Sequence, residues 1–195
     1  MLRKQYKKSE TSKRAILDAA YKLILEKGFE RTSVKDIVRE SGLSIGSFYH
    51  HFKSKDDMLN EAFLKFDEQL TDEAIARYDG LDPLDAIKAV LLAQTAYTES
   101  MGSGLMSEYY RALLQNKNRG AVNPNRAYYL TVEAYVQKAQ AVGLLDKGRS
   151  SAAITDFLIQ GVRGTLVDWC LHDGSYSVTE KVGLELDSYL LPFSQ

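Results

Sequence analysis

The chain has 195 residues, 45% of them hydrophobic and 26% charged, enough apolar content for a sizeable core and enough charge for a well-solvated surface. A single cysteine, Cys170, excludes an intrachain disulfide framework, and no apolar run approaches the roughly 18 residues that span a bilayer. The net charge of −1 conceals a division: residues 1–56 carry 13 Lys/Arg against 7 Asp/Glu, and the remainder carries 12 against 19, so a basic head precedes an acidic body and suits a polyanion.

The basic start MLRKQYKKSE, with Arg3, Lys4, Lys7 and Lys8, leads into no secretory apolar segment, so a cytoplasmic protein with no membrane partner is expected. A first helix is signalled from about Thr11 to Glu26, with Ile16, Ala19, Ala20, Leu23 and Ile24 at helical spacing. Gly28 stops it. Thr32 or Ser33 caps a short second helix reaching Ser41, with Asp36 in its first turn and Val34, Ile37 and Val38 on one face. Gly42 and Leu43 make a tight turn, and a third short helix follows from Ser44 to Phe52. The fourth starts after Lys55, places Met58, Leu59, Ala62, Phe63, Phe66 and Leu70 inward, and extends to about Tyr78.

Gly80-Leu81-Asp82-Pro83 is a stop and restart, and Pro83 suits the first turn of a fifth helix to Ser100. The sixth covers Leu105 to Gln115, a loop runs from Asn118 to Asn123, and Pro124 begins a seventh that ends at Gly143. The eighth follows Gly148 and Ser150 to His172, and the ninth runs from Val178 to Leu191. No stretch alternates apolar and polar residues, so an all-α fold of about nine helices is expected.

Helices two and three, joined across Gly42, fit a helix-turn-helix. Val34, Ile37, Val38, Leu43, Phe48 and Phe52 lock the pair onto the first helix, which leaves Ser44, Ile45, Ser47, Tyr49, His50 and His51 on the third. That face holds hydroxyls, aromatics and imidazoles and no carboxylate. Hydroxyl and imidazole donors suit phosphate oxygens, and small side chains admit a helix to the major groove. Lys53 and Lys55 stand where a cation meets the flanking backbone, and Ser33 with the first amides of helix two makes a second phosphate anchor. Adjacent histidines point to different helix faces and no third ligand is near, so His50-His51 is not read as a metal site.

The run from Gly42 to Leu59, GLSIGSFYHHFKSKDDML, resembles the signature of the TetR family of bacterial regulators, as do Ile16-Leu17-Asp18-Ala19-Ala20, Gly28-Phe29 and Thr32-Ser33-Val34-Lys35-Asp36-Ile37. The likeness covers about the first 60 residues; beyond them only the helical layout agrees. It implies a helix-turn-helix DNA-binding domain over residues 1–55 and an effector-binding and dimerisation domain over 56–195. Lys35, Ile45, Gly46 and Ser47 then match positions that touch base edges. Ser33, Tyr49, His50, His51 and Lys55 match positions that hold the backbone, with Ser44 and Thr32 beside them. The implied partners are a near-palindromic double-stranded operator, a second copy of the chain and a small-molecule effector that releases a repressor; no cofactor is expected.

In the larger domain the eighth and ninth helices read as an oligomer interface, with Phe157, Gly161, Gly164, Val182, Leu186, Tyr189 and Leu190 along it. Aromatic and Met side chains line adaptable pockets, which makes Tyr97, Met101, Tyr109, Tyr110, Tyr129 and Trp169 candidates for an effector site, with Glu133 and Arg163 as polar contacts of opposite sign. An enzyme would need a nucleophile and base; Cys170 and His172 lie two residues apart on a helix, about 200° round it, and cannot pair. A scaffold that has lost DNA binding is disfavoured by the intact polar face of helix three.

Overall fold

A computed structural model describes residues 2–115 and 120–194, with side chains from Ser9 onward except at 62 and 63. The side chains of Arg3, Lys4, Lys7, Lys8, Ala62 and Phe63, and the loop position Asn118, lie outside what is described. Among the described residues there are ten α-helices: α1 (Leu2–Lys27), α2 (Val34–Ser41), α3 (Ile45–His51), α4 (Lys55–Leu64), α5 (Asp72–Asp79), α6 (Pro83–Ser100), α7 (Ser103–Gln115), α8 (Ala127–Ala141), α9 (Ser151–Leu171) and α10 (Val178–Leu190). The lone β-bridge, Leu145 to Ser194, joins no strands, so the fold is all-α there.

The count exceeds the expected nine because the fourth predicted helix is two. It ends at Leu64, a 3-10 segment covers Lys65–Gln69, and α5 starts anew behind Thr71, whose hydroxyl accepts the Ala74 amide at 3.3 Å. Thr71 followed by Asp72 and Glu73 is an N-cap with an acidic first turn. The apolar spacing from Met58 onward runs across this break and hides it.

The chain forms two compact units. The first gathers the described residues up to Phe63 with those of α7 from Gly104. Its interior takes Ile16, Ala20 and Ile24 from α1, Ile37 and Val38 from α2, Phe48 from α3, then Phe52, Met58 and Leu59, all buried. Burial of this kind stabilises by ~1.5–3 kcal/mol per large side chain.

The second unit holds α5, α6, α8, α9 and α10. Helix α6 packs on α8 and α10, and α9 packs on α8 and α10. Its core includes Ile87, Val90, Leu91, Val132, Val136, Ile154, Leu158, Val182 and Leu186. Two polar devices tie it. Arg126, 7% exposed, donates to both Asp67 carboxylate oxygens at 2.7 and 3.1 Å and to the Ala121 carbonyl at 3.3 Å. The Glu99 carboxylate, at the end of α6, accepts the Val178 and Thr179 amides that open α10, at 3.0 and 3.3 Å.

Candidate nucleic-acid interface

The geometry of the paired short helices is set locally. Ser33 accepts the Asp36 amide at 3.2 Å while Asp36 accepts the Ser33 amide at 3.0 Å, a reciprocal capping box that fixes where α2 starts. Asp36 also receives Lys27 at 2.9 Å and Arg39 at 2.8 Å. The bond from Ser33 and that from Lys27 hold its carboxyl well below the usual carboxylate range. Gly42 ends α2 at φ +69°, a left-handed conformation that costs an L side chain about 1–2 kcal/mol, and the Leu43 amide returns to the Val38 carbonyl at 3.0 Å. Ser44 then caps α3 by accepting the Ser47 amide at 3.1 Å.

Helix α3 buries Phe48 completely and turns Ile45, Gly46, Tyr49 and His50 to solvent, with Ser47 and His51 half-buried. The Phe48 ring meets Tyr49 at 5.3 Å and Phe52 at 5.5 Å between centroids, which anchors the helix from beneath. Ser44, Gly46, Ser47, His50 and His51 line an open groove with Ser9 and Ser12 of α1 as its further wall. Those two serines were not singled out in the sequence. Their only signal was helical register with the outward side of α1, and which outward side faces α3 is a tertiary matter. The His50 and His51 rings are 5.0 Å apart. Burial, the neighbouring His50 and then Lys13 push the His51 imidazole below its ordinary value.

Lys35 is exposed beside this groove's helix pair, as is Ser33. Thr32 and Lys55 face inward. Thr32 is fully buried, and its hydroxyl donates to the Gly28 carbonyl at 2.8 Å and lies 3.3 Å from that of Leu23. The Lys55 ammonium donates to the carbonyls of Phe29 and Thr32 at 2.6 and 2.9 Å and stands 4.1 Å from the Phe29 ring centroid. Burial presses its pKa below the ordinary lysine value. Both residues therefore clamp the segment between α1 and α2, from behind the exposed face.

Residues 16–62 match the family described as bacterial regulatory proteins, tetR family. The chain is 34% identical over 92 residues to the HTH-type transcriptional regulator PksA of Bacillus subtilis, an overlap of 46% of this chain and 44% of that relative. The shared stretch thus spans less than half of PksA. It is 26% identical over 176 residues to the HTH-type transcriptional regulator UidR of Escherichia coli K12, covering 82% of each. Over its N-terminal segment the chain is similar to the TetR family. The fold agrees along its length: the transcriptional regulator FadR of Bacillus subtilis, solved in complex with stearoyl-CoA, superposes with a TM-score of 0.68 at 20% identity, covering 91% of this chain and 97% of that one.

Within the chain, the residues expected around an effector are divided. Tyr109 and Tyr110 belong to the first unit, with rings 5.7 Å apart, and Tyr109 is 1% exposed. Tyr97, Met101, Tyr129, Glu133, Arg163 and Trp169 belong to the second. There Arg163 donates to the Tyr129 hydroxyl at 2.6 Å, Glu133 accepts from Ser151 at 2.7 Å, and the Trp169 indole donates to the Tyr176 carbonyl at 2.9 Å. The Tyr97 ring meets that of Phe66 at 5.8 Å between centroids, tilted by 44°, and Phe66 also meets Tyr128.

The residues expected at a dimer interface are also split. Val182, Leu186 and Leu190 are 3% exposed or less within their own chain. Gly161 faces Tyr189 of the same chain: a methyl group there would stand 3.2 Å from the ring. Phe157 and Gly164 face outward, as do Val167 and Leu171 on α9 and Leu184 on α10, which apolar periodicity alone does not mark. Phe157, Gly164 and Leu171 repeat every seven residues, so they share one helix face.

Proposed function

We propose that this chain is a DNA-binding transcription regulator that works as a homodimer on a near-palindromic operator, acting as a repressor released by a small-molecule effector. The observation that carries the reading is the outward face of α3, where Ser44, Ser47, His50 and His51 line one groove with Ser9 and Ser12 and no carboxylate intrudes. A groove of that chemistry accepts a sugar-phosphate rail, while Ile45, Gly46 and Ser47 lie level with base edges and Lys35 approaches from α2. Ser33 and Tyr49 supply further backbone contacts. Thr32 and Lys55 contribute by holding α2 in place.

In this reading residues 1–55 grip DNA and 56–195 bind effector and pair the two copies. Pairing uses the outward faces of α9 and α10, through Phe157, Gly164, Val167, Leu171 and Leu184; Leu171 is 77% and Leu184 84% exposed, large for isolated apolar side chains in a single copy. The effector acts by preferring one of two dimer shapes and so altering the separation of the two α3 helices. No helix among the described residues is long and apolar enough to cross a membrane, which accords with a cytoplasmic site of action.

The test is binding of fluorescent genomic fragments to the purified chain across a salt series. Specific fragments should be retained, with log affinity falling linearly in log salt at about −0.9 per phosphate contact. Retention of no fragment at low salt would remove the proposal. Stearoyl-CoA, the ligand of FadR, is the first compound to titrate against a retained fragment.

A further inference from the structure

The outward face of α9 is laid out symmetrically about Gly164. Gly161 and Val167 stand three positions away on either side of it, and Phe157 and Leu171 seven positions away. Offsets of three and seven keep all five residues near one face of the helix. Phe157, Val167 and Leu171 are exposed apolar side chains there. The charged neighbours Arg163 and Asp168 are already engaged within the chain, by the Tyr129 and Tyr176 hydroxyls at 2.6 and 2.8 Å. Gly164 has open space where a Cβ would stand, so no packing within the chain calls for a glycine in mid-helix, where alanine is the better helix former.

We propose that this face pairs with itself, two copies of α9 crossing antiparallel with the two-fold axis at Gly164. This rests on the homodimer reading above and adds the register to it. A two-fold contact presents the same patch from both sides. A residue some positions before Gly164 therefore lies level with the residue as many positions after it in the second copy. Phe157 then meets Leu171, Gly161 lies level with Val167, and the two Gly164 backbones approach where any side chain would hold them apart. The hairpin of α9 and α10 extends the register. Thr165 donates to Glu185 at 2.9 Å and Gly161 faces Tyr189, which puts Gly164 level with Leu186. The same axis brings the exposed Leu184 level with Ser188 of the second copy.

The area suffices for a stable pair. At ~1.5 Å per residue α9 is ~31 Å and α10 ~20 Å long, and at ~10 Å width they present roughly 500 Å² before side-chain relief is counted. Standard interfaces bury ~800 Å² per partner. A partner of another sequence gives no reason for spacing that mirrors about one glycine.

The test is disulfide trapping of the full chain in a Cys170→Ser background, with sedimentation of each variant alongside. Gly164→Cys should cross-link to its own copy, because residues at the axis fall within the ~4.4–6.8 Å Cα separation that a disulfide spans. Phe157→Cys and Leu171→Cys should each stay uncross-linked alone, their like positions being ~21 Å apart along the helices. Mixed and allowed to exchange, those two variants should cross-link to each other. The mixed pair decides the register even where Gly164→Cys weakens the dimer. A parent chain that sediments as a monomer would overturn the homodimer reading and the register with it. Failure of the mixed pair in a chain that sediments as a dimer, or cross-linking of Phe157→Cys to itself, would overturn the register alone.

Discussion

Two lysines that look alike in sequence separate by where their ammonium groups go. Lys35 is exposed on α2, while Lys55 spends its charge on the carbonyls of Phe29 and Thr32. Lys35→Ala should therefore weaken binding to specific fragments by about 1–3 kcal/mol and relax sequence preference, with no change in unfolding midpoint. Lys55→Met should lower the midpoint as well, since hydrogen bonds to a charged group contribute about 1.5–3 kcal/mol. Chemical denaturation run beside the binding assay distinguishes the two; equal stability loss in both variants would refute the division. His51 carries a pH signature. Its imidazole is held below the ordinary value in the free chain, and a nearby phosphate would raise it. Binding then takes up a proton, so affinity should rise as pH falls from 8 to 6, and His51→Gln should flatten that dependence. A wild-type profile independent of pH would place His51 away from the phosphates.

At the scale of elements, short helices depend on their caps. Helix α2 has eight residues, too few to be stable alone, and its start rests on Ser33 and Asp36. Ser33→Ala should cost about 1 kcal/mol of stability, read from denaturant midpoints at constant slope. The depressed Asp36 carboxyl adds an acid limit: the stability it contributes is present above the ordinary carboxylate value, near pH 4, and is lost as pH falls toward its folded value. An Asp36→Asn variant should lose that part of the acid dependence. The second unit has a costlier weak point at Asp67. Removing its carboxylate leaves the 7%-exposed Arg126 guanidinium buried without its counter-ion, and Asp67→Ala should destabilise by about 3–5 kcal/mol in thermal or chemical unfolding.

For the whole molecule, the question is which apolar stripe meets a second copy. Gly164 has open space where a Cβ would be, whereas Gly161 is already against Tyr189. Gly164→Arg should therefore break the dimer while the separated chains keep their helix content, as measured by sedimentation and circular dichroism. Gly161→Leu should unfold or distort the chain through the clash with Tyr189 and is the poorer probe of pairing. A Gly164→Arg chain that stays dimeric on dilution would move the interface off α9.

The helix-turn-helix was legible from residues alone because everything that defines it acts within four positions of the chain. Ser33 with Asp36, Gly42 at positive φ and Ser44 with Ser47 are all local in this sense, and so was the all-helical class. The break at Thr71 was local too, but apolar spacing continued across it and outvoted the cap. Burial, by contrast, reads the same in a sequence whether the covering surface is the chain's own or a partner's. That is why Val182, Leu186 and Leu190 looked like interface and are core, while the outward Leu171 and Leu184 went unremarked. A charged side chain likewise carries no mark of its direction; only packing turned Lys55 and Thr32 inward and set Ser9 and Ser12 opposite α3.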